Sequence, residues 1–146
     1  MIIPDVNLLI YAYNDQATQH AAAKAWWEAL LNGKTPVGLS WLAIAGFIRL
    51  MTHPRVLVMP MPVVQTTTII RSWLAQAPVR MLQPGPKFPE IFLRQLEQVG
   101  TGGNLTTDAQ FAALAIEYQA ELHSNDADFS RFPGLRWTNP LRLGSK

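Results

Sequence analysis

The sequence predicts an α/β fold in which a short parallel sheet is flanked by helices on both faces. Short apolar runs alternate along the chain with longer segments whose apolar residues recur at helical spacing. Parallel strands need a crossover connection, usually a helix, so this alternation is typical of a covered parallel sheet. The chain has 146 residues and no repeat, low-complexity tract or long linker. We therefore expect one domain over residues 1–146.

The amino-terminal part of the chain begins with a clear junction between a strand and a helix. An apolar run ends at Asp5, and a second apolar run follows it without a linker. We predict a strand over 1–5 and a helix over 6–12, with Asp5 or Asn7 placed to cap that helix. The next predicted elements are a helix over 17–32 that ends at Asn32-Gly33, a strand over 35–39, and a helix capped by Ser40 that continues to about residue 52.

The second half of the chain continues the same alternation. Residues 56–62 contain two prolines and predict a loop, and Gln83-Pro84-Gly85-Pro86 predicts a turn. A glycine-rich loop over 100–104 precedes a helix that we expect Thr106 or Thr107 to cap. The remaining predicted elements are helices over 63–77 and 88–99 and strands over 79–82, 120–124 and 135–138.

Composition excludes several classes of chemistry. The chain contains no cysteine, which rules out disulfides, thiolate catalysis and zinc–thiolate sites, and is typical of a reducing cytoplasm. No stretch approaches the roughly 18 consecutive apolar residues of a membrane span. No cationic leader precedes the first strand. The sequence therefore predicts a cytoplasmic protein with no membrane partner, and any metal must be bound by oxygen atoms or by its three histidines.

The balance of charge indicates an acidic pocket within a basic exterior. Twelve Lys and Arg residues face ten Asp and Glu residues. If Asp5, Asp108, Asp126 and Asp128 converge, the rest of the chain carries twelve positive charges against six negative ones. A basic surface around an acidic site suits a polyanion that is held by its phosphates.

Two predicted strands end in carboxylates. Asp5 ends the first strand, and Asp126 and Asp128 follow the strand over 120–124. Ligands of open parallel sheets bind beyond the carboxyl ends of the strands. Asp108 lies in the first turn of the helix before that strand, eighteen residues ahead of Asp126, so the helix and strand can return the chain to the same edge. Each acid also has a structural explanation, because Asp5 can cap a helix, Asp108 suits a helix dipole and Asp128 can cap the turn before Phe129.

Several carboxylates in one cleft repel each other unless they are protonated or bind a cation. Hard divalent ions with oxygen ligands are the usual solution, so the sequence predicts a site for Mg²⁺ or Mn²⁺. Such an ion polarises a phosphate and activates a water for in-line attack.

With these motifs in place, the chain resembles the PIN-domain ribonucleases, and specifically the toxin halves of VapBC toxin–antitoxin pairs. The matching segments extend over nearly the whole chain: Asp5-Val6-Asn7-Leu8-Leu9, Ser40 at the start of the third helix, Asn104-Leu105-Thr106-Thr107-Asp108-Ala109 and Ser124-Asn125-Asp126-Ala127-Asp128-Phe129. The resemblance implies a single PIN-like domain. It also implies a magnesium-dependent endoribonuclease that hydrolyses RNA with a metal-activated water.

The resemblance further assigns roles to individual residues. Asp5, Asp108 and Asp126 would be the catalytic metal ligands, with Asp128 as a further ligand. Asn7, Ser40 and Ser124 would be the polar residues that orient these acids, although Asn7 and Ser40 also suit helix capping. As partners, the resemblance implies an RNA substrate, a cognate VapB-type antitoxin that silences the enzyme, and a second copy of the chain in a homodimer.

One position departs from the family pattern. The family usually has a Glu six residues after the position of Ser40, and this chain has Gly46 there. A Gly inside a helix costs about 1 kcal/mol relative to Ala, so some feature of the structure must tolerate or use it. The departure leaves a second hypothesis open, a degenerate PIN scaffold that binds RNA or a protein partner without cleavage.

Two arginines lie close in sequence to the predicted site. Arg49 is in the helix that follows Ser40, and Arg131 follows Asp128 by three residues. Either side chain could bind RNA phosphates or make a surface ion pair.

Overall fold

The computed structural model describes residues 1–142, and a five-stranded parallel sheet lies at its centre. The strands follow the order β3-β2-β1-β4-β5, and every neighbouring pair is parallel. The first strand of the chain is therefore the central one. The strands are β1 (Ile2–Pro4), β2 (Val37–Leu39), β3 (Val79–Met81), β4 (Glu121–His123) and β5 (Arg136–Thr138).

Helices supply the crossover connections between these strands. From β1 to β3 the chain steps in one direction across the sheet, and it then returns to β4 on the other side of β1. Because parallel crossovers are right-handed, this reversal places the helices before β3 and those after it on opposite faces, as predicted. The helices are α1 (Val6–Tyr13), α2 (His20–Leu31), α3 (Trp41–Met51), α4 (Val63–Leu74), α5 (Phe88–Val99) and α6 (Leu105–Glu117), with a 3-10 helix at Ala127–Arg131 before β5.

A cluster of aromatic side chains holds the first four helices together. Trp27, Phe47 and Trp73 are almost completely buried. The ring of Trp73 lies 4.8 Å from that of Phe47 and 5.4 Å from that of Trp27, both in edge-to-face geometry. Trp73 Nε1 also donates a hydrogen bond to the hydroxyl of Tyr13 (2.8 Å). The cluster fixes α3 against α1, whose amino terminus carries Asp5. No helix within residues 1–142 is long and apolar enough to cross a membrane.

Register places two polar residues side by side at the carboxyl edge of the sheet. Pro4 of β1 pairs with His123 of β4, so the next residues along the two strands are Asp5 and Ser124. Asp5 N continues the ladder by donating to the carbonyl of His123 (2.9 Å). Asp5 and Ser124, the residues predicted to end these two strands, therefore lie side by side at this edge of the sheet.

Three predicted helix boundaries were wrong. The helix predicted over 17–32 begins at His20, because Asn14 Oδ1 accepts a hydrogen bond from Gln16 N (3.1 Å) and the chain turns there first. The helix predicted over 63–77 ends at Leu74, since the residue before Pro78 is disfavoured in helical conformation.

The third wrong boundary lies at the start of α6, which Thr106 and Thr107 do not cap. The helix begins at Leu105 after Asn104, and no side chain caps it. The amides of Leu105 and Thr106 donate instead to the carbonyls of Gly102 and Gly103, so backbone turns replace the expected side-chain cap. Asp108 nevertheless lies in the first turn, as predicted.

Candidate active site at the carboxyl edge of the sheet

Asp5 is buried at the end of the central strand, and both of its carboxylate oxygens accept hydrogen bonds. Asp5 Oδ1 accepts from Val6 N (2.7 Å) and caps α1. Asp5 Oδ2 accepts from the hydroxyl of Ser124 (2.7 Å). Asp5 therefore both caps α1 and places a carboxylate at the edge of the sheet. The carboxylate has a single orientation that the backbone and Ser124 both determine.

Ser124 connects Asp5 to two other residues of the site. Its side chain is completely buried. While its hydroxyl donates to Asp5, the same oxygen accepts from Asp126 N (3.0 Å) and from Asn7 Nδ2 (3.3 Å). One hydroxyl therefore orients the first acid, the loop that carries the last acids, and the amide of Asn7. Of the residues predicted to orient the acids, Ser124 forms hydrogen bonds with Asp5 and Asp126 directly, whereas Asn7 forms one with Ser124 and none with the acids.

The carboxylates of Asp108, Asp126 and Asp128 approach each other closely. Each offers an oxygen, and these three oxygens lie within 4.8 Å of one another. Asp126 Oδ1 accepts from Asp128 N (2.9 Å) and so caps the 3-10 helix. The alternative structural role predicted for Asp128, capping this turn, was therefore wrong, because Asp126 is the cap. Asp5 lies beside this group of three and outside its 4.8 Å limit.

Burial and like charge both act against ionisation of these acids. Burial raises the pKa of Asp5 above its ordinary value, against the hydrogen bonds from Ser124 and Val6, and the charge of Asp126 raises it further. Partial burial raises the pKa of Asp108 to about 6, with further contributions from Asp126, Asp5 and Asp128. The charge of Asp126 thus acts on both Asp5 and Asp108, so the four acids form one electrostatic unit.

The donor set fits a hard divalent cation. Within residues 1–142 no Lys, Arg or His forms an ion pair with any of the four acids, so their charge has no protein counter-ion. Across the same residues this cluster is the only group of three or more potential ligand side chains, and no histidine belongs to it. Beside it, Asn7 Oδ1 is buried without a hydrogen-bond partner. Clustered carboxylate oxygens with an unsatisfied amide oxygen are the ligand chemistry of Mg²⁺ and Mn²⁺.

Without a divalent ion, the protein should lose stability as the pH rises from about 4 to about 7. The folded-state pKa of Asp108 is about 6 against an ordinary value of 3.8. Between these values the folded state binds more protons than the unfolded state, so the free energy of unfolding falls with pH. Because Asp108 is only half-buried, solvent screening limits its contribution to about 1 kcal/mol.

Urea unfolding in EDTA at both pH values, on the wild type and on Asp108→Asn, measures this contribution. The free energy of unfolding of the wild type relative to the variant should fall by that amount on going to the higher pH. An identical difference at both pH values would show that Asp108 titrates as it does in the unfolded chain.

Three other predicted site residues, Ser40, Arg49 and Arg131, lie outside the acidic cluster. Ser40 caps α3, its hydroxyl accepting from Ala43 N (3.1 Å), and it makes no hydrogen bond to the acids. Arg49 lies in the last turn of α3, and Arg131 ends the 3-10 helix. Both arginines are exposed, and neither forms an ion pair within residues 1–142.

Gly46 faces the amino terminus of α1. A Cβ atom at this position would lie 3.1 Å from Val6 Cγ2, so the missing side chain allows α3 to approach the residue that follows Asp5. Position 46 is therefore next to the candidate site, as the family pattern implies, and the glycine permits a close helix contact there.

A groove adjoins the cluster between α3 and α6. Its volume is ≈ 550 Å³. We call it the α3–α6 groove. Its lining comprises Ser40, Trp41, Leu42, Ala45, Gly46 and Arg49 from the α3 side, Thr107, Gln110 and Leu114 from α6, and Leu82, Pro84 and Phe88 from the segment after β3.

Two residues that support the site, Trp137 and Asn139, were not predicted from the sequence. Trp137 Nε1 donates to the carbonyl of Ser124 (3.0 Å), and Asn139 Nδ2 donates to Asn125 Oδ1 (2.8 Å). Together they hold the loop that carries Asp126. Both lie in or just after the last strand, and the only signal in the sequence is a polar residue before Pro140, which is also typical of an ordinary turn.

Comparison with known proteins places this arrangement in a family. The PIN domain matches residues 2–135. Ribonuclease VapC33 of Mycobacterium tuberculosis is 49% identical over 142 residues, which cover 97% of this chain and 99% of that protein. Ribonuclease VapC37 of the same organism is 38% identical over 98% of this chain and 99% of its own length.

Solved structures show the same fold at lower sequence similarity. The crystal structure of VapC20 from Mycobacterium tuberculosis, described as a Sarcin-Ricin loop cleaving toxin, superposes with a TM-score of 0.68 at 19% identity, covering 93% of this chain and 99% of that one. VapBC2 from Rickettsia felis, bound to a DNA fragment from their promoter, gives a TM-score of 0.67 at 22% identity over 95% of this chain and 98% of that chain. On the full-length identity to named relatives and the PIN match over most of its residues, the chain belongs to the PIN-domain family and, within it, to the VapC ribonucleases.

Proposed function

We propose that this chain is a divalent-metal-dependent endoribonuclease, the toxin of a type II toxin–antitoxin pair, with Asp5, Asp108, Asp126 and Asp128 as its active site. The observation that carries the proposal is the group of three carboxylates within 4.8 Å, without a protein counter-ion in residues 1–142. The names of the relatives, ribonucleases of the VapC group, support RNA as the substrate.

Asp108, Asp126 and Asp128 are the residues that would hold the ion directly, with Asp5 beside them. Mg²⁺ is the proposed ion and Mn²⁺ the alternative, since both take oxygen ligands and Mg²⁺ retains several waters. When bound, it supplies Lewis-acid polarisation of a phosphate oxygen and a nucleophilic water. Asp5 neither donates nor moves a proton in this scheme. Its carboxylate, oriented by Ser124 and Val6 N, contributes negative charge and position.

The proposal is tested by incubating antitoxin-free protein with total RNA in Mg²⁺, Mn²⁺ or EDTA. We expect defined fragments in the presence of either ion and intact RNA in EDTA. Cleavage that continues in EDTA would contradict a metal-dependent site. Intact RNA in all three conditions would favour the degenerate scaffold.

A VapB-type antitoxin is the proposed protein partner. VapBC complexes occur among the structural relatives, and these support the assignment of an antitoxin to this chain as well. The homodimer, the single domain over residues 1–146 and the cytoplasmic location stay predictions.

Arg49 and Arg131 are proposed to bind RNA phosphates, because both are exposed cations that form no ion pair within residues 1–142. Arg49 also lines the α3–α6 groove, and Arg131 ends the 3-10 helix that contains Asp128. Arg49→Ala or Arg131→Ala should weaken binding of different RNA sequences by similar factors, since phosphate contacts carry no base information. Each should reduce the slope of log affinity against log salt by about 0.7. Fluorescence anisotropy with two unrelated oligonucleotides measures both effects.

Arg94→Ala is the matched control, because Arg94 is an exposed cation that already forms an ion pair with Glu90 (3.2 Å) within α5. An RNA affinity that does not change between low and high salt would contradict the electrostatic footprint.

Because Gly46 replaces the Glu that is usual in the family, the alternative function is a degenerate scaffold that does not cleave RNA. A substitution at position 46 distinguishes this alternative from a metal-dependent ribonuclease. If three or four Asp residues hold the ion alone, Gly46→Glu should add an oxygen ligand and tighten Mn²⁺ binding by at least about tenfold, an effect that even ligand-orienting groups produce. The helix gains up to about 1 kcal/mol from losing the glycine, which offsets the small shift that Val6 must make to admit a Cβ atom at 3.1 Å.

Calorimetric titration of Mn²⁺ into the wild type, Gly46→Glu and Gly46→Gln measures this effect. Gln has the same length and crowds Val6 equally, so it separates the added carboxylate from the added bulk. Equal Mn²⁺ affinities in all three proteins would show that a side chain at position 46 does not reach the ion.

A further inference from the structure

We propose that the α3–α6 groove binds one unpaired nucleobase of the RNA, next to the phosphate that is cleaved, and that Trp41 is the surface on which this base stacks. The inference rests on the proposed ribonuclease function and adds a specificity-determining site to it. Three properties of the groove support it: its closeness to the acidic cluster, the chemistry of its lining, and the rigidity of its wall.

The groove lies next to the candidate active site, although none of the four acids lines it. Thr107 lines it and directly precedes Asp108. Gly46 lines it as well, and a Cβ atom at that position would touch Val6, the residue after Asp5. A nucleotide whose phosphate lies at the cluster therefore has this groove as an adjoining space. Its ≈ 550 Å³ falls within the range of about 300–1,000 Å³ that is usual for small-molecule sites.

Trp41 has the exposure and the position of a stacking residue. It is 57% exposed at the first position of α3, whereas the side chains of Trp27 and Trp73 are buried. A tryptophan is highly buried on average, so one that lies open beside a groove calls for a functional explanation. Single-stranded RNA is commonly recognised by stacking of unpaired bases on aromatic rings, and every base has a suitable face.

The polar groups of the groove favour a nucleotide as its occupant. Among residues 1–142, Arg49 is the only charged residue that lines the groove, so no carboxylate within the lining repels the backbone of a bound nucleotide. Gln110 also lines the groove, and its amide makes no hydrogen bond within residues 1–142. A side-chain amide can both donate and accept, which allows it to pair with the edge of a stacked base. Stacking supplies affinity in this arrangement, and Gln110 supplies the preference among bases.

The wall opposite α3 is held in place before any ligand binds. Glu117 at the end of α6 accepts hydrogen bonds from Gly85 N (2.7 Å) and Lys87 N (2.9 Å) through its two carboxylate oxygens. The hydroxyl of Tyr118 donates to the carbonyl of Gln83 (2.8 Å). These bonds fasten the turn that presents Pro84 and Phe88 to the groove. A preformed groove binds with less loss of conformational entropy than one that must be assembled.

The test uses short ribo-oligonucleotides and metal-free protein in EDTA, so that the RNA remains intact. 2-Aminopurine is placed at one position at a time around the cleavage site, and a parallel series carries an abasic residue at the same positions. We expect one position at which the fluorescence is quenched on binding. Trp41→Ala should abolish that quenching and weaken binding by about 5- to 150-fold, the range for loss of one base–aromatic stack. Trp41→Phe, which keeps an aromatic ring, should retain most of the quenching and most of the RNA affinity of the wild type.

The decisive comparison is a double-mutant cycle between Trp41→Ala and the abasic RNA. If the base stacks on Trp41, the variant should bind the abasic RNA no more weakly than the wild type does. Val58→Ala is the matched control, because Val58 is 91% exposed and does not line the groove. If Trp41→Ala and the abasic residue instead lower the RNA affinity by independent factors that multiply, the base lies elsewhere and the inference is overturned.

Two other outcomes are also informative. Normal RNA binding by Trp41→Ala, with weakened capture by a VapB-type antitoxin, would assign the groove to a protein segment and overturn the inference. RNA cleavage by both the wild type and Trp41→Ala at equal rates would overturn only the nucleobase site. Failure of the wild type to bind or cleave RNA under any metal condition would instead refute the proposed function itself.

Discussion

Asp108→Asn should abolish RNA cleavage, with a loss of at least about 100-fold, the order seen when one preorganised electrostatic group is removed from an active site. The carboxylate of Asp108 is one of the three whose oxygens lie within 4.8 Å of each other. Asn keeps the shape of the side chain and removes its charge, so the change tests cation binding and leaves packing intact. The folded protein should persist, because the charge removed is one that the neighbouring acids repel.

The cleavage rate is best compared with that of Asp15→Asn. Asp15 undergoes the same chemical change, but it is exposed in the turn between α1 and α2 and belongs to no acidic cluster within residues 1–142. Thermal unfolding in EDTA shows whether each variant is folded. A folded Asp108→Asn protein that cleaves RNA at the wild-type rate would remove Asp108 from the active site.

Ser124→Ala should affect both stability and activity. The hydroxyl of Ser124 donates to Asp5 and accepts from Asp126 N and from Asn7, so its removal leaves three polar groups without that partner. Loss of a buried hydrogen bond to a charged group, with others left unsatisfied, should lower the free energy of unfolding by about 2–3 kcal/mol. The pKa of Asp5 should rise further, because the hydrogen bond from Ser124 is the largest influence that opposes its increase.

Activity should fall by about 10- to 100-fold in Ser124→Ala, as it does when groups that orient metal ligands are removed. Ser130→Ala is the matched control, because the hydroxyl of Ser130 donates only to the carbonyl of Ala127 (2.8 Å) on the exposed 3-10 helix. Cleavage assays at saturating Mg²⁺ and urea unfolding in EDTA separate the two effects. If Ser124→Ala has wild-type activity at saturating ion but a weakened Mn²⁺ affinity, the Ser124 hydroxyl supports cation binding and has no further role in cleavage. Wild-type values for activity, stability and Mn²⁺ affinity together would contradict the proposed orienting role.

Much of this site could be predicted from local patterns. Asp5 follows a short apolar run and precedes another, and the structure confirms that it directly follows β1 and caps α1. Ser40 likewise caps α3 as predicted. Both predictions succeeded because a cap depends on a hydrogen bond between a side chain and a backbone amide one to three residues away. The alternation of strands and helices gave the fold class for a similar reason, since apolar periodicity is a local property.

Where local signals compete, the prediction was less successful. Thr106, Thr107 and Asp128 each suit a cap in isolation, yet Asn104 precedes α6 without a side-chain cap and Asp126 caps the 3-10 helix. Adjacent residues of similar propensity differ only in the backbone geometry that the whole fold imposes. In the case of α6, the carbonyls of Gly102 and Gly103 already accept the first amides of the helix.

The sequence by itself determined that strands would deliver acids to one edge of a parallel sheet, because strand, cap and helix signals are all carried by neighbouring residues. Only the tertiary structure decided which acids meet, through the register that sets Asp5 beside Ser124 and through the loop that Trp137 holds. It also decided that Gly46 faces Val6, and that one face each of α3 and α6 lines a groove. These relations join residues that are far apart in the chain. They depend on register, crossover direction and helix packing, which the free energy of the whole core determines and no short segment encodes.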